Sequence, residues 1–533
     1  MKRIMLIGLL CLITTKTSAA AAESLAGNWA LTRPGEERIL WLIRIEARDG
    51  TYSASVLDAA QQLAGTELAD FTNSPNRIQF VLRLRGNRFP VEAIPAGGDT
   101  MLGSVEFGRV LSAIRLERTS ISSLKNSYEM AKDAVARHPD DPASFEAARV
   151  LFAQAGENGA SANEVRSWAD KLFRSAERYG PRMHQDVGLK IAEALAGQKE
   201  FGPIGLEYAR RTERSLESSE PASTQVRVLD ALASALRATG KDAEAKALDG
   251  RIEKLEQQAD AEYLRHFPPL KVEPFSGSKK NNRTVLVELF TGAQCPPCVA
   301  ADIAFDAIAR AYKPEDVIIL QYHLHIPGPD PLTNSDSEAR QAYYADAIEG
   351  TPTMLFNGKP EAGGGGPANA AEGKLKEYQE VINALLDRSQ ADVKLEATAV
   401  RKGDDITISA TVSNVAEPSD KLRLRFALVE EQVRYVGGNN VRFHHHLVRA
   451  MPGGAAGFPI TKKEVSETVS VNVPALRKQL EQYLQDPARR MTFSGPQRPP
   501  SLKNLMAVAF VQNDTSREIL QAVQVKIQGE AAD

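Results

Sequence analysis

The spacing of apolar residues changes character three times along this chain, and no single core can absorb those changes. From about Gly27 to Thr119, stretches such as Trp41-Leu42-Ile43-Arg44-Ile45 and Ile78 to Leu84 alternate or run apolar between turn residues, the signature of strands. From about Ile121 to Arg265 the pattern becomes helical, rich in alanine, leucine and charge, with Pro139 to Pro142, Gly180-Pro181 and Glu220-Pro221 as punctuation. A strand–helix–strand pattern starts at Thr284, and strand-like alternation resumes beyond Val393. At 533 residues the chain also exceeds what one core can organise. The expectation is a multidomain α+β protein.

The expected boundaries follow these switches: a β-barrel-like domain over 23–119, a helical region over 120–265, a linker over 266–283, an α/β domain over 284–388 and a β-sandwich over 389–533. Pro268-Pro269, Pro274 and Ser276-Gly277-Ser278 give the linker its composition. The Gly27-Asn28-Trp29 opening resembles that of lipocalin-like barrels. In the helical region, Ile191 to Gly197 and Leu232 to Gly240 echo each other, and the turn that follows the second, Lys241 to Ala245, resembles that of a tetratricopeptide repeat. The echo spacing is about forty residues, longer than that repeat, so irregular hairpins that hold a protein partner, or a plain helical spacer, are expected.

Hydrophobic residues make up 43% and charged residues 25%, the balance of an ordinary globular chain. The net charge of −3 gives no electrostatic reason to expect nucleic acid or an anionic membrane as partner. Lys2 and Arg3 precede the apolar run Ile4 to Ile13, and small residues follow from Ser18 to Ala22. That is the pattern of a signal peptide, 1–22, cleaved between Ala20 and Ala22. A secreted or periplasmic protein without a membrane span is expected.

Export makes the cysteines informative. The chain has three, and loss of Cys11 with the leader leaves only Cys295 and Cys298. Disulfides that staple an exported fold are usually spread across its loops. Two cysteines placed at random on such a chain would fall this close on the order of once in a few hundred cases. The apolar run Val285 to Phe290 feeds a short loop, Cys295-Pro296-Pro297-Cys298 follows, and Val299 to Tyr312 reads as an amphipathic helix. Proline costs little in a first helical turn. The dithiol then sits at a helix N-terminus, where unpaired N–H groups and the dipole favour a thiolate. One turn separates the two sulfurs, so attack by Cys295 and resolution by Cys298 fit the spacing.

At these residues the chain resembles the thioredoxin-like superfamily. The match rests on the Val285-Leu286-Val287-Glu288-Leu289-Phe290 strand, on Cys295-Pro296-Pro297-Cys298, and on Thr351-Pro352 before Thr353 to Phe356 and Asn357-Gly358. The Pro-Pro pair is similar to that of tryparedoxins and nucleoredoxins, and the wider frame looks like secreted bacterial thioredoxin-like proteins. The resemblance implies an exported thiol–disulfide oxidoreductase without a cofactor, acting on protein thiols or disulfides. It also implies that Glu288 is the buried acid beneath the dithiol, that Pro352 is held cis beside it, and that the Thr351 backbone pairs with bound substrate. Two departures stand out: glutamate replaces the usual aspartate, and Gln294 stands where tryptophan usually precedes the first cysteine.

Other readings stay open. His323 and His325 alternate along the expected strand Val317 to Ile326 and would end near Cys295. They could tune a thiolate, serve structure, or join the two thiolates in a soft-metal site, with copper(I) the best match. A redox-inert interaction scaffold is the third possibility. His444-His445-His446 is read as a structural or interaction segment, since adjacent strand residues point to opposite faces. Gly363 to Gly366 reads as a flexible turn, because it lacks the Lys-Ser/Thr pair of a phosphate loop.

Overall fold

The computed structural model describes residues 25–33, 39–97, 99–107, 110–277, 282–388, 393–486, 493 and 500–530. The expected leader and Cys11 lie outside them. The fold is mixed α/β, with eleven α-helices and several sheets among the described residues. The chain divides into two compact units, Met1–Val187 and Gly188–Asp533.

The first unit opens with eight antiparallel strands: β1 (Gly27–Thr32), β2 (Trp41–Arg48), β3 (Thr51–Ala59), β4 (Glu67–Ser74), β5 (Arg77–Leu84), β6 (Asn87–Gly97), β7 (Thr100–Phe107) and β8 (Val110–Thr119). They are ordered β3-β2-β1-β8-β7-β6-β5-β4, and the two edges approach each other in a nearly closed, barrel-like sheet. Alternate residues such as Trp29, Leu31, Trp41, Ile43, Phe80 and Leu82 fill its interior. Helices α1 (Ser127–Arg137), α2 (Pro142–Ala153) and α3 (Ala162–Ala176) follow. Each starts on a side-chain cap: Asn126, Asp141 before Pro142, and Ser161 in a reciprocal capping box with Glu164. Helix α4 (Pro181–Ala196) spans the boundary between the units.

In the second unit, α5 (Gly202–Arg214), α6 (Ala222–Ala238) and α7 (Asp242–His266) precede the elements that carry the cysteines. These are β9 (Val285–Thr291), α8 (Val299–Ala311), β10 (Val317–His323), α9 (Ser335–Tyr343), β11 (Thr353–Phe356) and α10 (Ala371–Asp387). The remainder comprises β12 (Lys394–Lys402), β13 (Asp405–Ser413), β14 (Ser419–Arg434), β15 (Phe443–Ala450), β16 (Phe458–Ile460), β17 (Val465–Asn472), α11 (Val473–Gln485), β18 (Leu505–Asn513), β19 (Ile519–Lys526) and β20 (Gln528–Glu530).

One sheet crosses the boundary that the sequence placed at 388/389. Its order is β11-β9-β10-β15-β14-β18-β19, with β10 and β15 paired in parallel through Gln321 and Leu447. The two regions therefore share backbone hydrogen bonds and a core, as domains divided by a linker would not. On one face, Val285, Val287, Leu289, Val317 and Ile319 pack against α8 and α10. Further along that face, Leu424, Phe426 and Leu428 of β14 meet Ile406, Ile408 and Val412 of the small sheet β17-β13-β12-β20. On the other face, Leu286, Phe290, Leu320 and Tyr322 pack with Tyr344, Val429, Val448 and Phe510. Helix α7 is tied to the same unit by ion pairs from Arg442 to Glu256 and Asp260 and from Arg434 to Asp260.

Candidate functional site

Strand β9 ends at Thr291, Gly292–Gln294 form the loop, and a 3-10 turn over Pro296–Cys298 leads into α8. Proline at the first positions of that turn fixes φ without sacrificing a needed N–H. Cys295 and Cys298 are joined in a disulfide, with Cα atoms 5.4 Å apart. The pair lies below the surface: Cys295 is 1% exposed and Cys298 0%, while Pro296 and Pro297 are exposed. The Thr351–Pro352 peptide is cis, and the Thr351 carbonyl oxygen lies 3.5 Å from Cys295 Sγ.

Two glycine segments press against this motif. Gly366 N–H donates to the Pro297 carbonyl at 2.7 Å, and the Gly366 carbonyl accepts from Ala300 N–H at 3.0 Å. A side chain at Gly365 would put its Cβ 1.9 Å from Pro297 O and 2.6 Å from Pro352 Cγ. Gly363–Gly366 is thus a fitted strap between the Pro-Pro turn and Pro352, where the sequence suggested a flexible turn. Beyond β14, Gly437 rests on the Ala293 backbone, Gly438 N–H donates to Gln294 Oε1 at 3.0 Å, and Asn439 N–H donates to the Ala293 carbonyl at 3.0 Å.

Glu288 does not lie under the dithiol. Its neighbours Val287 and Leu289 face α8, so strand alternation turns Glu288 to the opposite side of the sheet, with Leu286 and Phe290. There Arg340 grips it through Nε to Oε1 at 2.8 Å and Nη2 to Oε2 at 3.0 Å. Tyr344 OH donates to Oε2 at 2.8 Å, and Gln512 Oε1 accepts from Arg340 Nη1 at 2.8 Å. Arg340 also lies over the rings of Tyr343, Tyr344 and Phe510. This buried ion pair joins β9, α9 and β18 and keeps Arg340 more firmly protonated than an ordinary guanidinium, the cost of burial being outweighed by the adjacent carboxylate.

The acid on the dithiol's side is Asp302, four residues and one helical turn after Cys298. It is buried, and its Oδ1 accepts from Thr291 Oγ1 at 2.9 Å and Gln321 Nε2 at 3.1 Å, while Oδ2 has no hydrogen-bond partner. Burial raises its pKa to about 7 against the opposing pull of His323, Thr291 and Gln321. The spacing Cys-x-x-Cys-x-x-x-Asp was the signal available for it in the sequence.

His323 stands at the end of β10, paired across the strands with Thr291. Its Nδ1 lies 2.7 Å from Asp330 Oδ2, which also accepts from Ala293 N–H at 2.6 Å, while its Nε2 is buried without a partner. Burial alone would raise Asp330, but the charge and hydrogen bond of His323 and the Ala293 and Leu332 N–H groups hold it below the usual carboxylate range. The His444 ring meets His323 edge-on at 4.7 Å; its Nε2 bonds the Tyr435 carbonyl at 3.0 Å, and its Nδ1 has no partner. Burial pushes His444 down to about 3. His325 turns away, bonded through Nδ1 to Asp330 N–H and through Nε2 to Tyr483 OH, on whose ring it stacks. The two expected histidines therefore do not converge on the cysteines as a pair. No three His, Cys, Asp or Glu side chains form a group able to hold a metal ion among the described residues. Nor is any helix among them long and apolar enough to cross a membrane.

No family model matches the chain, and no curated protein matches it. Among solved structures, it has 11% identity and a TM-score of 0.13 with a Pseudomonas fluorescens alkylpurine DNA glycosylase, AlkC, bound to DNA containing an abasic-site analogue, over 75% of this chain and 95% of that one. With lipovitellin the identity is 9% and the TM-score 0.14, over 93% of this chain and 60% of that one. At such scores neither likeness bears on fold or function.

Proposed function

We propose that the protein is an exported, thioredoxin-like thiol–disulfide oxidoreductase whose working groups are Cys295 and Cys298. The observation that carries the reading is the paired sulfurs at the start of α8, with the Thr351 carbonyl against Cys295 Sγ. A Cys-x-x-Cys pair so placed opens by thiolate attack on one sulfur while the other leaves, assisted by the positive end of the helix. Cys295 forms the mixed disulfide with a protein partner, and Cys298 resolves it. Thr351 and Pro352 line the approach to Cys295, and neither cofactor nor metal takes part. The tetratricopeptide-like helices and the flanking β regions serve partner choice.

The test is equilibration of the full chain with glutathione buffers, followed by thiol trapping. The pair should cycle between dithiol and disulfide in folded protein, and Cys295→Ser should abolish the cycle. Burial of both cysteines favours one competing reading, a redox-inert scaffold with a structural disulfide. A pair that resists reduction until the protein unfolds would establish that alternative.

A further inference from the structure

A cavity of about 1250 Å³ lies within the first unit, between the sheet and the helices that follow it. It is not the lumen of the barrel-like sheet. Trp29 and Leu31 of β1 and Leu116 of β8 fill that interior, so strand alternation turns Ala30, Thr32, Arg115 and Glu117 outward. These outward residues form one wall, together with Asp58, Ala59 and Ala60 at the end of β3. Met130, Ala131 and Ala134 of α1 and Ala143, Ala147 and Val150 of α2 form the other. Hydrogen bonds pin the two walls to each other. Arg137 Nη1 donates to Glu117 Oε2 at 2.8 Å and Thr119 Oγ1 to Asp133 Oδ1 at 2.6 Å, while Ser123 Oγ and Leu124 N–H donate to Asp58 Oδ2 at 3.0 and 2.8 Å. Alanine adds little bulk to either helix, so these ties hold open a space as large as the pockets that take drug-sized ligands.

The lining narrows the class of ligand. No aromatic ring is among the described lining residues, which removes the usual stacking surface for a nucleobase, a sugar ring or a flat cofactor. The deep part is aliphatic, since Ala30, Ala60, Ile121 and Ala131 are all buried. The acids of the wall are engaged. Asp58 accepts from Ala59, Ser123 and Leu124. Asp133 accepts from Thr119, Ser120 and Arg137, and Asp141 caps α2 through Ala143 N–H. The bases are not matched one to one. Glu117 faces Arg115 at 3.6 Å, Arg137 at 2.8 Å and His138 at 3.2 Å, and Lys125 acts on Asp58 through its charge. Arg115 and Lys125 are the exposed bases of the lining, at its rim.

We propose that this cavity binds an anionic amphiphile, its aliphatic chain lying between the sheet and α1–α2 and its carboxylate or phosphate among the rim bases Arg115 and Lys125. The site is independent of the oxidoreductase reading, because every residue in it belongs to the first unit. Burial of the chain supplies affinity, about fourfold for each methylene group taken out of water. The charged head sets the orientation and selects against a cationic amphiphile.

The experiment titrates the full chain with cis-parinaric acid, whose fluorescence rises when it leaves water. The probe is then displaced with dodecanoate, dodecanol or dodecyltrimethylammonium, each kept below its micelle concentration. Dodecanoate should compete at a single saturable site about 10-fold better than dodecanol, the factor expected of hydrogen bonds to a charged group, and the cation should compete least. The double variant Arg115→Gln, Lys125→Gln should bring dodecanoate to the level of dodecanol and leave dodecanol unchanged. Ala134→Trp fills the space from α1 and should weaken every competitor by about 10-fold or more; Ala147→Trp does the same from α2. Circular dichroism and thermal unfolding establish that each variant is folded, and if Ala134→Trp does not fold, Ala147→Trp decides. Absence of saturable binding, undiminished affinity in a folded filling variant, or equal competition by anion and cation would overturn the proposal. Thiol trapping of the same samples reports on the cysteines separately, so failure of one reading does not imitate failure of the other.

Discussion

The two faces of strand β9 carry buried acids of opposite character. On one, Glu288 is clasped by Arg340, Tyr344 and, through Arg340, Gln512. On the other, Asp302 has hydrogen bonds to one oxygen and none to the second, and burial keeps its proton on to about pH 7. A buried carboxylate matched by a guanidinium is locked in charge and position. One whose hydrogen bonds come only from neutral donors stays poised between two protonation states. The sheet thus separates a brace from a titrating group, and the titrating group is on the side of the cysteines.

The hardest way to break this comparison is to remove the clasp. Arg340→Met leaves Glu288 buried without its counter-charge, held only by Tyr344 OH, and we expect a loss of about 3–5 kcal/mol in denaturant unfolding. The double variant Arg340→Met, Glu288→Leu should recover most of it, because the unpaired charge is gone. Equal losses in the single and double variants would show that packing, and not the ion pair, is what β9, α9 and β18 share.

The titrating side predicts a pH dependence with a definite sign. Asp302 binds its proton more tightly folded than unfolded, so between about pH 4 and pH 7 the folded state holds more protons and stability falls as pH rises. Asp302→Asn removes that slope. Relative to wild type it should gain about 2–4 kcal/mol on going from pH 4 to pH 8. His444, pushed down to about 3, acts in the opposite sense: unfolding takes up a proton there, so its contribution to stability is lost as pH falls from about 6.5 toward 3. His444→Gln should flatten the acid limb and leave the neutral range unchanged. Unfolding curves across pH test both, and a neutral-range slope that survives in Asp302→Asn would place the titrating group elsewhere.

The dithiol and the strand that feeds it were legible in the sequence, because an apolar run, a Pro-containing turn and a helical period all meet at Cys295. The β character of the first unit's opening and the Pro- and Gly-punctuated helices were legible for the same reason: their signals are local. The role of Glu288 was not. All seven residues of β9 are buried, so alternation shows that Glu288 shares a face with Leu286 and Phe290 but not which face meets α8. Its partner Arg340 comes from a helix 52 residues further on. Asp302 had only its spacing from Cys298 to mark it, and its burial comes from the sheet beneath α8, which no local signal shows. The pairing of β10 with β15 was equally hidden, since it depends on residues more than a hundred positions apart.

The smallest effect probes the strap beside the titrating face. Gly365→Ala would set a Cβ against the Pro297 carbonyl oxygen, and Pro352 leaves no room to shift away from it. Overpacking of this kind costs about 1–3 kcal/mol. Gly363→Ala in the same strap meets only the flexible ends of Glu377 and Lys374 at 3.7 Å and should change stability by less than about 0.5 kcal/mol. If the strap helps to keep the disulfide covered, the first variant should also speed its reduction in folded protein, because displacing Gly365 loosens the Gly366 bonds to Pro297 and Ala300. Reduction rates measured well below the unfolding transition separate local opening from global unfolding. Faster reduction in Gly365→Ala alone would locate the barrier to the dithiol in the fit of this strap, whereas equal rates in both variants would exclude the strap as that barrier.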